Sequence, residues 1–210
     1  MTRTRASRPG TRTTPKRGTT TPPEKPSRPS KRPATAPLTI SRPELLVDGS
    51  DRVFRQLVHN FFAFGSRHEA MRAGHGARIG LTGIEYTFLI SVRHLEDEGD
   101  VSVRLLADHL HLSGPFCTTM VGKLIKRGLV TKDVDPLDRR RVRLKVTEKG
   151  HALLAELAPA QRQVNDVQFG CLGPGDLQNL VELLNKLIAS ADQALALQSY
   201  LASAEKDSSE

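Results

Sequence analysis

The sequence predicts a mainly α-helical fold that carries one small β-hairpin, and three observations predict it. From Phe54 to Leu195, apolar residues recur at the three- and four-residue spacing of a helix face in several separate runs. Between Leu110 and Pro115 a short break parts two such runs, with Ser113 where a helix N-cap is wanted and Pro115 in a first turn, where its missing N–H has no intrahelical partner. After Gly128 the pattern changes: Leu129 to Val134 and Arg141 to Val146 read as two short strands joined by the turn sequence DPLDRR. Two tandem short helices followed by a hairpin make a winged helix-turn-helix, spanning about residues 100–147. The helices on either side, about 50–72 and 150–200, are left over to join subunits.

The chain divides by composition into a tail and a body. Residues 1–43 hold nine of the thirteen prolines, no aromatic residue, and eleven Lys or Arg against Glu24 alone. Such a segment has too little apolar surface to fold, so 1–45 are expected to be a disordered basic tail, 46–200 the folded domain and 201–210 a disordered end. The nine prolines would also break the amphipathic helix of a mitochondrial-type presequence. A solvated tail and a phosphate-binding arm fit the composition equally.

Taken in order, the first helix runs from Ser50 to about Arg72, with Phe54, Leu57, Val58, Phe61, Phe62 and Phe64 in a stripe wide enough for more than one neighbour. The glycine-rich AGHGARIGLTG reads as the link to a second helix, Gly83 to about Glu98, whose Thr82 and Glu85 form a capping box. Ile84, Phe88, Leu89, Val92 and Leu95 are its buried face, and Gly99-Asp100 stops it. Val103 to Leu110 follows, placing Leu105, Leu106 and Leu110 on one face with Ala107 admitting close packing. In the next helix Cys117, Met120, Val121, Leu124 and Ile125 point inward, which leaves Pro115, Thr118, Thr119, Gly122 and Lys123 outside. Gly128 is a left-handed C-cap candidate behind Lys123, Lys126 and Arg127. Beyond the hairpin, Thr147 to about Phe169 is helical with Leu153, Leu154 and Leu157 inward, and Pro159 is a candidate kink. Gly173-Pro174-Gly175 breaks the chain before a last helix, Asp176 to about Tyr200.

Four pieces of this pattern carry a family resemblance: LADHL in the opening helix of the motif, LS before the second, KLIKRGLV leaving it, and DPLDRRRVRLKVTEKG through the hairpin into the following helix. In this combination the chain resembles the MarR family of bacterial transcription regulators, from about Ser50 to about Leu197. The resemblance implies a dimeric regulator of transcription, a repressor rather than an activator, that a small-molecule effector releases from DNA. It also implies an effector pocket between the first two helices and the winged module, with Phe62, Arg67, Tyr86 and Arg93 as candidate lining residues and a small aromatic carboxylate as candidate ligand.

Charge supports the same reading from the residues themselves. The formal net charge of +8 misleads, because the tail holds +10 and the rest sums to −2. Within that rest, Val121 to Lys149 carries ten Lys or Arg against four acids, a local +6. A duplex is bound by a face of one sign, and this one falls on the second helix of the motif and the hairpin. Short side chains let a recognition helix approach base edges, so Ser113, Pro115, Thr118, Thr119 and Lys123 are its candidate DNA contacts. Phe116 either meets a thymine methyl or tucks against the preceding helix. In the wing, Arg139, Arg140 and Arg141 are candidates, because a narrow minor groove concentrates negative potential, with Asp138 orienting one of them.

Other classes fit less. Two distant cysteines without a CxxC partner argue against a disulfide framework or structural zinc. Cys117 falls among apolar neighbours, as a small hydrophobe does, and Cys171 stands near a helix break. The seven histidines show no metal-pair spacing, and no nucleophile motif occurs, so no catalytic, metal or cofactor site is expected. No apolar run approaches the roughly 18 residues a membrane span needs, which leaves a cytoplasmic protein, on the nucleoid when bound. The expected partners are double-stranded DNA with a pseudo-palindromic operator, and a second copy of the chain. The competing class is a protein-interaction module that presents the winged scaffold to a partner and uses the tail as a docking arm.

Overall fold

In the computed structural model, residues 37–134 and 142–207 are described. They form six α-helices and a two-stranded antiparallel hairpin among the described residues. Contacts divide the chain into a unit ending at Phe54 and a second beginning at Arg55.

The described part of the first unit is held by local bonds. A single 3-10 turn, Pro43–Leu45, is followed by a tight turn in which Val47 and Ser50 exchange backbone hydrogen bonds of 3.0 and 2.9 Å. Asp48 and Gly49 sit at φ 52° and 71°, the left-handed pair that a two-residue turn of this kind demands and that Asp-Gly supplies. Asp51, 1% exposed, accepts from the backbone N–H and the hydroxyl of Thr39 at 2.9 and 2.7 Å. A buried carboxylate twelve residues on thus pins Thr39.

Helix α1 spans Arg52–Arg78, and α2 spans Gly83–Glu96. α1 does not stop near Arg72 but takes in the first half of the glycine-rich segment, and only residues 79–82 form the link to α2. A Cβ at Gly76 would lie 2.8 Å from the Thr82 carbonyl oxygen and one at Gly83 would lie 3.0 Å from Cα of Ala73. These glycines let the end of α1 and the start of α2 touch backbone to backbone. The capping box at Thr82 and Glu85 is formed in both directions.

The winged module follows. Helix α3 covers Val103–Leu110, with Ser102 accepting from the Leu105 N–H, and it ends in His111 at φ 50°. Helix α4 covers Gly114–Lys126. Its end is a Schellman cap: Gly128 at φ 69° donates to the Ile125 carbonyl and Leu129 donates to that of Leu124. Strands β1, Val130–Val134, and β2, Val142–Val146, pair in the register Val130↔Val146 to Val134↔Val142, and Val101 adds a bridge to Leu144.

Phe88, Leu89 and Val92 of α2, Leu106 of α3, and Cys117 and Leu124 of α4 are fully buried and make the centre of the core. Leu105, expected inward, is 40% exposed. On so short a helix only one strip faces the core, and Leu106 with Ala107 occupies it.

Helix α5, Glu148–Phe169, begins at Thr147, which accepts from the Gly150 N–H, and Pro159 lies in its interior. Helix α6, Asp176–Asp207, runs past the expected end at Tyr200. Leu201, Ala202, Ala204, Glu205 and Lys206 are good helix formers, and neither Gly nor Pro interrupts them.

Candidate nucleic-acid interface

The start of α4 and the hairpin define the candidate surface. Ser113, Pro115, Phe116, Thr118, Thr119 and Lys123 are all exposed, while Cys117, Met120, Val121 and Leu124 are buried beneath them. Ser113 is the N-cap, with the extended backbone of that position, although its hydroxyl makes no capping bond. Thr118 and Thr119 donate their hydroxyl protons to the carbonyls of Gly114 and Pro115, four residues back, at 2.9 and 3.0 Å. Phe116 packs on α2 and not on the preceding helix: its ring lies edge-on to that of Phe88, centroids 6.1 Å apart, and 41% of the residue stays exposed.

The cations of this region separate into two groups. Arg127 reaches the Gly80 carbonyl at 2.6 Å and Glu85 at 3.5 Å, and Lys149 donates to the Arg127 carbonyl at 2.8 Å. Arg143 pairs with Asp100 at 3.0 Å, and Lys145 lies 3.8 Å from Asp133. These charges are matched by partners within the module. Lys123, Lys126 and Lys132 are exposed and make no hydrogen bond or ion pair among the described residues. Arg139, Arg140 and Arg141, with Asp138, lie outside the described residues.

What fixes α4 against the hairpin was not read from the sequence in full. Thr147 is the hub: its hydroxyl donates to the Gly128 carbonyl at 2.7 Å and accepts from Gly150, and its N–H bonds Leu129. Glu96 of α2 accepts from the Val146 N–H at 3.0 Å. The Thr-Glu helix start was visible, whereas these cross-links need the third dimension.

The four effector candidates are not brought together. Phe62 is 67% exposed on α1. Arg67 donates to the Ala63 carbonyl of its own helix. Tyr86 is 1% exposed in the core, its hydroxyl accepting from Gln161 at 3.0 Å and its ring edge-on to His75. Arg93 pairs with Asp97 at 2.5 Å, which raises its pKa. No hydrogen bond, ion pair or ring contact joins any two of them. A different recess, about 380 Å³, lies between α1 and α5 and combines the apolar Met71, Val164 and Val167 with Arg78. Nearby, Arg72 bonds Thr87 at 2.8 Å and pairs with Glu69. His75, 6% exposed, has its pKa lowered by burial and then by Arg78 and His68.

Cys117 is buried, and burial pushes its thiol pKa up, away from the reactive thiolate. Cys171 is exposed. Among the described residues, no His, Cys, Asp or Glu cluster is placed to hold a metal, and no helix is long and apolar enough to cross a membrane.

Comparison with known proteins finds the same elements elsewhere. The sequence pattern of the MarR family matches residues 79–141, from the turn after α1 into the hairpin. The HTH-type transcriptional repressor NicR of Pseudomonas putida is 31% identical over 142 residues, covering 68% of this chain and 88% of the relative. The transcriptional repressor MprA of Escherichia coli is 29% identical over 113 residues, covering 53% and 64%. BpsR of Bordetella bronchiseptica, solved in work on regulation of its DNA binding by 6-hydroxynicotinic acid, is 27% identical with a TM-score of 0.50, covering 61% and 90%. A MarR/EmrR family transcriptional regulator from Acinetobacter shares the fold at a TM-score of 0.58 with 17% identity, covering 68% and 99%.

Proposed function

Because the chain belongs to the MarR family, we propose that it is a DNA-binding transcriptional repressor that works as a homodimer and leaves its operator when a small aromatic carboxylate binds. The observation that carries the DNA reading is the surface of α4: small exposed side chains at its start and the exposed ammonium groups of Lys123 and Lys126 beyond them. That order suits a helix whose first turns enter a major groove and whose later turns meet phosphate. The arginines at 139–141 would extend the contact into the neighbouring minor groove.

Dimerisation is supported by apolar surface that a single chain leaves in water. Phe61, Phe62 and Phe64 of α1 are 43%, 67% and 49% exposed, and Leu187 and Ile188 of α6 are 46% and 62% exposed. An isologous interface would bury the same stripes on both subunits and set two recognition helices roughly 34 Å apart, one turn of duplex. The effector class is supported by BpsR, whose DNA binding is regulated by 6-hydroxynicotinic acid, an aromatic carboxylate. The recess at Met71, Val164, Val167 and Arg78 offers the apolar walls and the cation that such a compound requires. Phe62, Arg67, Tyr86 and Arg93 stay as the candidates that the resemblance implies.

One experiment covers these claims. The full-length protein is used to select duplexes from a random-sequence pool, the selected duplexes are footprinted, and binding is repeated with added 6-hydroxynicotinic acid and benzoic-acid analogues. The expected result is a protected region with two pseudo-symmetric half-sites, whose occupancy falls as one of the carboxylates is added. Enrichment of no sequence would reject the DNA reading. Protection of a single half-site would reject the two-fold arrangement, and indifference to every carboxylate would reject the effector class.

A further inference from the structure

The way α4 spends its hydrogen-bond donors constrains which bases it can read. Side chains that discriminate bases by paired hydrogen bonds are Arg or Lys on guanine, Asn or Gln on adenine, and Asp or Glu on cytosine. Between Gly114 and Lys126 the sequence contains no Arg, Asn, Gln, Asp or Glu. The arginine that follows, Arg127, is committed to Gly80 and Glu85. Lys123 and Lys126 stand late on the helix, with Lys123 about 13 Å along the axis from Gly114, where a helix that enters by its N-terminus is leaving the groove.

What the first turns hold is apolar. Pro115 has no N–H to donate. Thr118 and Thr119 have given their hydroxyl protons to the carbonyls of Gly114 and Pro115. A β-branched side chain locked in that way keeps its methyl group directed away from the bonded carbonyl, and both residues are exposed. The ring of Phe116, partly covered by Phe88, adds an apolar edge beside them. The apolar group that a base pair shows in the major groove is the 5-methyl of thymine.

We infer that α4 selects its operator by the thymine methyl groups, through the methyls of Thr118 and Thr119, and not by bidentate hydrogen bonds to purines. The inference rests on the reading of α4 as the groove-facing helix. It makes Thr118 and Thr119 specificity-determining residues whose methyl, not hydroxyl, is the reading group.

The test uses duplexes selected by the full-length protein, synthesised either with thymine or with deoxyuridine in the protected half-sites, a change that removes only the methyl. Wild-type protein is expected to bind the deoxyuridine duplex about fourfold less tightly for each contacted methyl. Replacing Thr118 and Thr119 together by Ser, which keeps the hydroxyls, should abolish the discrimination. Replacing both by Val, which keeps the methyls, should preserve it. A change in duplex shape caused by deoxyuridine would persist in the Ser protein, so the variants separate contact from shape. Equal wild-type affinity for the two duplexes overturns the inference, as does discrimination that survives Ser and disappears with Val. If the pool yields no enriched sequence, the groove-facing reading fails first and takes this inference with it.

Discussion

A methyl carbon added at Gly150 would lie 2.5 Å from the Leu129 carbonyl oxygen and 2.7 Å from Cγ1 of Val146. One obstacle is backbone and the other a branched side chain 7% exposed, so neither moves aside cheaply. Alanine gains about 1 kcal/mol of helix propensity over glycine, while overpacking of this kind costs about 1–3 kcal/mol. Gly150→Ala is therefore expected to lower stability by up to about 2 kcal/mol, read as an earlier urea midpoint at unchanged slope. A stabilised variant would show that the hairpin and α5 can separate freely. Also at this scale, His75 is buried beside Tyr86 and close to Arg78 and His68, and its pKa is held below the ordinary 6.5. A base whose folded pKa is lowered gives stability that is complete above its unfolded value and lost as pH falls through the folded one. The urea midpoint should drop as pH is lowered through 6.5 and below, and drop less in His75→Gln. Equal drops in both proteins would rule His75 out as the source.

At the scale of elements, some of the chain was legible and some was not, for identifiable reasons. The capping box at Thr82 and Glu85, the left-handed cap at Gly128 and the start at Thr147 obey rules that act within a few residues, and each stands where the sequence put it. Gly76 misled because a glycine required by an opposing carbonyl has the same letter as a glycine in a loop. Leu105 misled because spacing defines a face but not which edge of it meets the core. The exposed surface of α4 was read correctly from its buried face, yet the threonine back-bonding that defines its chemistry was not. The effector candidates came from resemblance, which transfers positions without transferring their neighbours. Helix α6 bears the element-scale prediction. Residues 174–206 are all exposed, so its stripe contributes little to the single chain's core. Leu187→Asp with Ile188→Asp should yield a monomer by sedimentation equilibrium while the winged module keeps its fold. A doubly substituted protein that still sediments as a dimer would place the interface elsewhere.

Across the whole molecule, charge is distributed by role. The body sums to −2, yet the segment from Val121 to Lys149 holds +6 and the first 43 residues hold +10. Several cations within the positive segment are used internally, at Arg127, Arg143, Lys145 and Lys149, and of the others among the described residues Lys123 and Lys126 stand on α4 and Lys132 on β1. The central claim is that this surface binds duplex DNA through phosphate-facing cations. Its most direct test is the affinity of the full-length protein for a selected duplex across a salt series, repeated with Lys123→Ala and with Arg139→Ala plus Arg140→Ala. The logarithm of affinity should fall linearly with the logarithm of salt, and each lost phosphate contact should shrink the slope by about one. Binding that ignores salt, or a slope identical in all three proteins, would contradict the account.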